Sequence, residues 1–178
     1  MSNLSVEDPG RRWFLRAAPV AAAAGVALAD GSLFSPRAAA QDMPAGGGPA
    51  FQVFTAAALA EDIRALDEHP GNNNLVDDKT FVMMLTTEKA KSAPEFEWHE
   101  ARDHIFHILD GSTVYELGGT PKGAHNTKPG EWLAPESEGA TTVTLNKGDM
   151  LVVRRGTPHR RKTAVSVTLL LISPQGTV

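Results

Sequence analysis

The chain has 178 residues, a formal net charge of −4 at pH 7 and no cysteine. The length suits a single domain with one core. Mild acidity without a long basic run argues against nucleic acid as a partner, and the missing thiols exclude disulfides, thiolate metal sites and cysteine nucleophiles.

In chain order, residues 1–40 read as an export signal rather than as part of a fold. Arg11-Arg12-Trp13-Phe14-Leu15-Arg16 precedes an alanine-rich apolar run from Ala17 to Ala29, and Ala38-Ala39-Ala40 offers small residues for cleavage ahead of Gln41. The run is too short and too weakly apolar for a bilayer span, which needs about 20 residues. A charged start, a short apolar middle and a small-residue end describe a signal peptide, and the paired arginines before Phe14-Leu15 resemble the twin-arginine class. Signals of that class serve proteins exported after folding, so the cytoplasm can choose a metal before export. The expectation is a periplasmic or extracellular protein, cleaved after Ala40 and without stable membrane insertion afterwards. The segment removes Arg11, Arg12, Arg16 and Arg37 against Glu7, Asp8 and Asp30, which leaves the remainder slightly more acidic than the whole.

Residues 41–50, with Gly46-Gly47-Gly48 and two prolines, read as a flexible linker, and residues 51–178 as a single domain. Thr55 can cap a helix from about Ala56 to Glu68, whose Leu59, Ile63 and Leu66 share one face; Pro70-Gly71 and three asparagines end it. This helix should pack on the outside of the main body. Strands follow from about Lys79: Phe81–Thr87, Phe96–His99, His104–Leu109 (stopped at Asp110-Gly111), Thr113–Leu117, Thr141–Leu145, Met150–Val153 and Val165–Ile172. Short β-branched strands at this spacing indicate a sandwich or barrel. The loop between Gly119 and Gly139 is long enough to cover a site.

Side chains two apart on a strand share a face. Glu97 and His99 therefore look the same way, with Trp98 opposite, and His104, Phe106 and Ile108 share a face on the next strand. His159 follows the turn Gly156-Thr157-Pro158. Two neighbouring strands and a later one thus aim three imidazoles and a carboxylate at one point inside the barrel. That donor set suits Mn, Fe, Co, Ni, Cu or Zn. Glu95 shares the face of Glu97 and Glu100 lies nearby, so the identity of the carboxylate stays open. His107 falls on the opposite face from His104, and His69 and His125 lie outside the strands.

At these residues the sequence resembles the cupin family, whose motifs are G-x5-H-x-H-x3-4-E-x6-G and G-x5-P-x-G-x2-H-x3-N. The match runs from Glu97 to Gly111 and from Gly148 to His159, with Arg154 in the proline position and Gly156 and His159 in place. His99 takes the position of the second histidine, His104 that of the glutamate and Glu97 that of the first histidine. Glutamate and histidine have traded places, and the total of three histidines and one carboxylate is kept. The resemblance covers about Phe81 to Ser173. It implies an all-β, cupin-type double-stranded β-helix (jelly-roll) barrel with one short N-terminal helix, commonly a homodimer.

The metal site expected is therefore Glu97, His99, His104 and His159, holding one divalent ion with open positions for water, dioxygen or a substrate oxygen. Phe106 and Ile108 would wall a substrate pocket, Arg161 would share the face of His159 and contact an anionic ligand, and Glu97 would leave the metal to act as general base. The expected function is a small-molecule metalloenzyme of dioxygenase, isomerase or lyase type. The alternative is a barrel that captures a metal or small ligand without turnover, because this fold serves many functions.

Overall fold

The structure is a computed structural model that describes residues 51–176. The expected signal and linker lie outside the described residues. Helix α1 (Ala56–Glu68) starts where expected, with the Thr55 hydroxyl accepting a hydrogen bond from the Ala58 amide at 3.2 Å. It stops at His69, because Pro70 cannot continue a helix. Leu59, Ile63 and Leu66 pack on Leu75, Leu85, Leu109 and Leu170, which puts the helix on the outer face of the sheet. Among the described residues no helix is long and apolar enough to cross a membrane.

Eleven strands follow: β1 (Gly71–Asp77), β2 (Phe81–Ser92), β3 (Phe96–His99), β4 (His104–Leu117), β5 (Thr120–Lys122), β6 (His125–Lys128), β7 (Glu131–Ala134), β8 (Glu136–Glu138), β9 (Thr141–Asn146), β10 (Met150–Val153) and β11 (His159–Pro174). The fold is the expected all-β barrel of double-stranded β-helix type with one short N-terminal helix. Nine strands form one antiparallel sheet, and β5 pairs with β8 in a small second one. β11 is the central strand: it pairs with β2, β3 and β4. β4 in turn carries β9 and β10. Alternation decides what lies inside. Ile108 and Leu169 enter the core with Phe106, Tyr115, Leu145, Val153 and Val167, while their neighbours Leu109 and Leu170 turn outward to the helix. Each fully buried apolar side chain contributes about 1.5–3 kcal/mol.

Several boundaries differ from the sequence reading, among them β2, which runs on past Thr87 to Ser92, and β11, which starts at His159 rather than Val165. The asparagines that end the helix also form β1, with Asn72 accepting a hydrogen bond from the Thr86 hydroxyl at 3.0 Å. Asp110-Gly111 does not stop a strand: β4 runs straight through, with Gly111 at φ 72°. A glycine at positive φ inside a strand accommodates a bulge as readily as a turn. Opposite it, β11 shifts register between Lys162 and Val167 on the β4 side and between Thr163 and Ser166 on the β2 side, where Ala90 also takes a positive φ of 45°. The bend thus crosses three adjacent strands and leaves Val165 exposed on its crest. Finally, the expected loop over residues 119–139 contains β5 to β8, and β7 pairs with β3 so that His99 stands opposite Glu131.

Candidate metal centre

His99 ends β3, His104 begins β4 and His159 begins β11. All three are buried, with relative exposures of 4%, 6% and 3%. One ring nitrogen from each lies within 4.8 Å of those of the other two. The rings meet edge to face, with centroids 4.7 Å apart for His99–His104, 5.6 Å for His99–His159 and 5.3 Å for His104–His159.

The hydrogen bonds fix which nitrogen faces inward. His99 Nδ1 lies 2.6 Å from Glu131 Oε2, a carboxylate oxygen that can only accept, and Arg102 Nη2, 3.0 Å from that nitrogen, donates to the same oxygen at 2.7 Å. His159 Nδ1 lies 2.9 Å from the Thr157 carbonyl oxygen, which can only accept. Ser173 Oγ donates to the Asp103 carbonyl at 3.1 Å, so towards His104 Nδ1, 2.9 Å away, it acts as acceptor. Each Nδ1 therefore carries the proton, and each Nε2 keeps its lone pair. Nε2 of His99 and of His159 is buried without any partner. A buried polar atom left unpaired is costly, and three ring nitrogens converging within 4.8 Å form a donor set that a metal ion satisfies. The residues fit a metal ion.

The electrostatics agree. Burial is the first cause that pushes His99 down to about 3, helped by Arg102 and its neighbour His159. Burial likewise pushes His104 down to about 2, with the two other histidines adding to it. His159 is also lowered by burial, opposed by its bond to Thr157 and by Glu97. All three are thus neutral imidazoles, the form that binds metal.

The other expected residues are placed as follows. Glu97 is not within the compact group; its carboxylate is 53% exposed and Oε1 stands 3.6 Å from His159 Nε2. Glu100 instead accepts a hydrogen bond from Trp132 Nε1 at 2.8 Å, beside the Trp98–Trp132 stack that covers the outer face of β3 and β7. Two cavities meet at the histidines, one of about 320 Å³ and one of about 240 Å³, sharing Met84, Glu97, His104 and Leu171. Phe106 and Arg161 line the larger one, as does Tyr115; Ile108 sits fully buried in the core and does not line it. Arg161 is already engaged: Nε and Nη2 bind Glu88 at 2.9 and 2.5 Å, and Nη1 donates to the Tyr115 hydroxyl at 3.0 Å. Burial opposes its charge, but the Glu88 and Tyr115 partners outweigh it and raise its pKa.

Glu131, Ser173, Tyr115 and Glu88 were not singled out from sequence. Glu131 meets His99 only through the pairing of β7 with β3, and Ser173 meets His104 only because β11 curls back to the site. Thr157, two residues before His159, is the one partner that local spacing could have indicated.

No family model matches the chain, and no curated protein matches it. Solved structures do resemble it. A cupin-2 domain protein from Shewanella frigidimarina is 13% identical, over 66% of this chain and 92% of its own, with a TM-score of 0.46. A cupin superfamily protein from Desulfitobacterium hafniense is 16% identical, over 58% and 75%, with a TM-score of 0.43. A protein with a double-stranded β-helix domain from Klebsiella pneumoniae is 12% identical, over 61% and 75%, with a TM-score of 0.44.

Proposed function

We propose that this chain is a mononuclear metalloprotein in which Nε2 of His99, His104 and His159 holds one divalent ion, and that it acts as an enzyme on a small oxygen-bearing molecule. The observation that carries the reading is the shared tautomer: three neutral, buried imidazoles, each held by Nδ1. Ligating histidines are oriented in this way by the partner of their second nitrogen. A bound ion would supply Lewis-acid polarisation or electron exchange at an oxygen ligand, within the dioxygenase, isomerase or lyase classes.

The chain's own residues do the rest. Glu97, half in solvent and 3.6 Å from His159 Nε2, serves as the displaceable fourth ligand and as the group that accepts a proton from substrate. Met84, Phe106, Leu169 and Leu171 give the larger cavity an apolar wall that excludes water from the ligand. Export by the twin-arginine route, with the ion loaded before translocation, belongs to the same proposal; an exported protein that begins at Gln41 would support it.

The test pairs metal content with turnover. The chain and its Glu97→Gln variant are purified, their metals quantified, and oxygen uptake and product formation followed with a panel of small phenols and diketones. The reading expects one ion per chain in both proteins, and turnover lowered by about 10²–10⁴-fold in the variant. Metal in both proteins with no turnover in either would assign the site to capture without catalysis.

A further inference from the structure

The larger cavity contains a second polar cluster, away from the histidines. Phe106 touches both groups: its ring centroid lies 5.5 Å from that of His104 and 5.0 Å from that of Tyr115. Tyr115 is buried to 1% exposure, and its hydroxyl accepts a hydrogen bond from Arg161 Nη1. An accepting phenol still has its own O–H to give. Arg161 carries five N–H groups, and after Glu88 and Tyr115 are served, one on Nη1 and one on Nη2 stay free. Glu88, by contrast, is fully committed: it takes two bonds from Arg161, a long one of 3.4 Å from Thr163, and an ion pair to Lys91 at 3.7 Å. The cluster has donors to spare and no acceptor to spare.

Its charge is also settled. Arg161 is neutralised by the bidentate Glu88 pair, and Glu97 adds a second carboxylate to the same cavity wall against the exposed Lys91. A ligand carboxylate here would meet no uncompensated cation, whereas a neutral acceptor would meet three free donors.

We infer that Tyr115 and Arg161 anchor the far end of a neutral substrate, one that offers an acceptor oxygen (ketone, ester or amide) to this cluster, an apolar middle to Phe106 and a ligating oxygen to the histidines. The inference rests on the metal reading above and names the substrate class of that site. It also gives Arg161 a different part from the anion contact expected from sequence: Glu88 turns it from a charge into a set of oriented donors.

The probes are 4-hydroxyacetophenone and 4-hydroxybenzenesulfonate, which share a phenol and differ in the charge of the distal group. A sulfonate, unlike a carboxylate, is too weak a ligand to compete for the zinc. Binding of each to the zinc-loaded chain is measured by calorimetry, after zinc stoichiometry has been established. The ketone is expected to bind more tightly than the sulfonate. Tyr115→Phe should weaken the ketone by about three- to tenfold, the worth of one neutral hydrogen bond, with zinc stoichiometry unchanged. Glu88→Gln keeps a hydrogen-bonding partner for Arg161 but frees its charge, and should shift the preference towards the sulfonate. Equal ketone binding by the parent chain and Tyr115→Phe, no binding of either probe, or a parent preference for the sulfonate would overturn the inference. Failure of the zinc to bind at all would instead overturn the metal reading beneath it.

Discussion

A neutral imidazole has one nitrogen with a proton and one with a lone pair, so whatever holds Nδ1 decides what Nε2 can do. In this chain the three holders differ in kind: a carboxylate for His99, a hydroxyl for His104 and a backbone carbonyl for His159. Glu131 is the strongest of them, and Arg102 keeps it in place. Glu131→Gln retains the shape and loses the charge, so metal affinity should fall by about 10–100-fold, read by competition with a chromophoric chelator, while the fold is unchanged by circular dichroism. Alternation on strands, a local rule, and the resemblance to the cupin motifs together placed His99, His104 and His159 at one site in the sequence reading. Neither could reach Glu131 or Ser173, since those contacts depend on which strands become neighbours. Nor could either separate Ile108 from Phe106: both occupy one face of β4, and only the curvature of the sheet decides that one enters the cavity wall and the other the core.

At the scale of the elements, the site depends on one bend. β11 supplies His159 at its start and Ser173 near its end, and both reach the histidine cluster. A straight strand could not do this; the bulges around Thr163–Ser166, Gly111 and Ala90 let it curl. Gly111 is the tightest point, because a Cβ there would strike the Ser166 backbone carbonyl. Gly111→Ala should therefore destabilise the chain by at least about 1–3 kcal/mol, measured as a lower urea midpoint. Gly139→Ala, at a similar φ of 77° but in open space, should cost only about 1–2 kcal/mol. The helix was legible to its caps because capping and periodicity are local. Reading Asp110-Gly111 as a stop failed because a dipeptide does not reveal whether its partner strand bulges to meet it.

For the whole molecule, three neutral histidines in a metal-free core have a consequence for acid stability. His99 is held near 3 and His104 near 2, against 6.5 in an unfolded chain. As pH falls below about 6.5, the unfolded state takes up protons that the folded state refuses, so stability is full above that pH and declines towards pH 3. The lowered carboxyl of Glu88, where burial is outweighed by Arg161, adds to the loss below its ordinary 4.5. The thermal midpoint of the metal-free chain should therefore drop steadily from pH 7 to pH 4, and a triple His→Ala variant should show a flatter profile over the upper half of that range. Metal binding to the folded state should raise the midpoint of the parent chain at pH 7 by mass action.

The most direct test of the metal centre is elemental analysis of the protein purified from its own host, set beside the triple variant His99→Ala, His104→Ala, His159→Ala. The account predicts one transition-metal ion per chain in the parent and none retained by the variant. A parent chain without stoichiometric metal, or a variant that keeps it, would contradict the account.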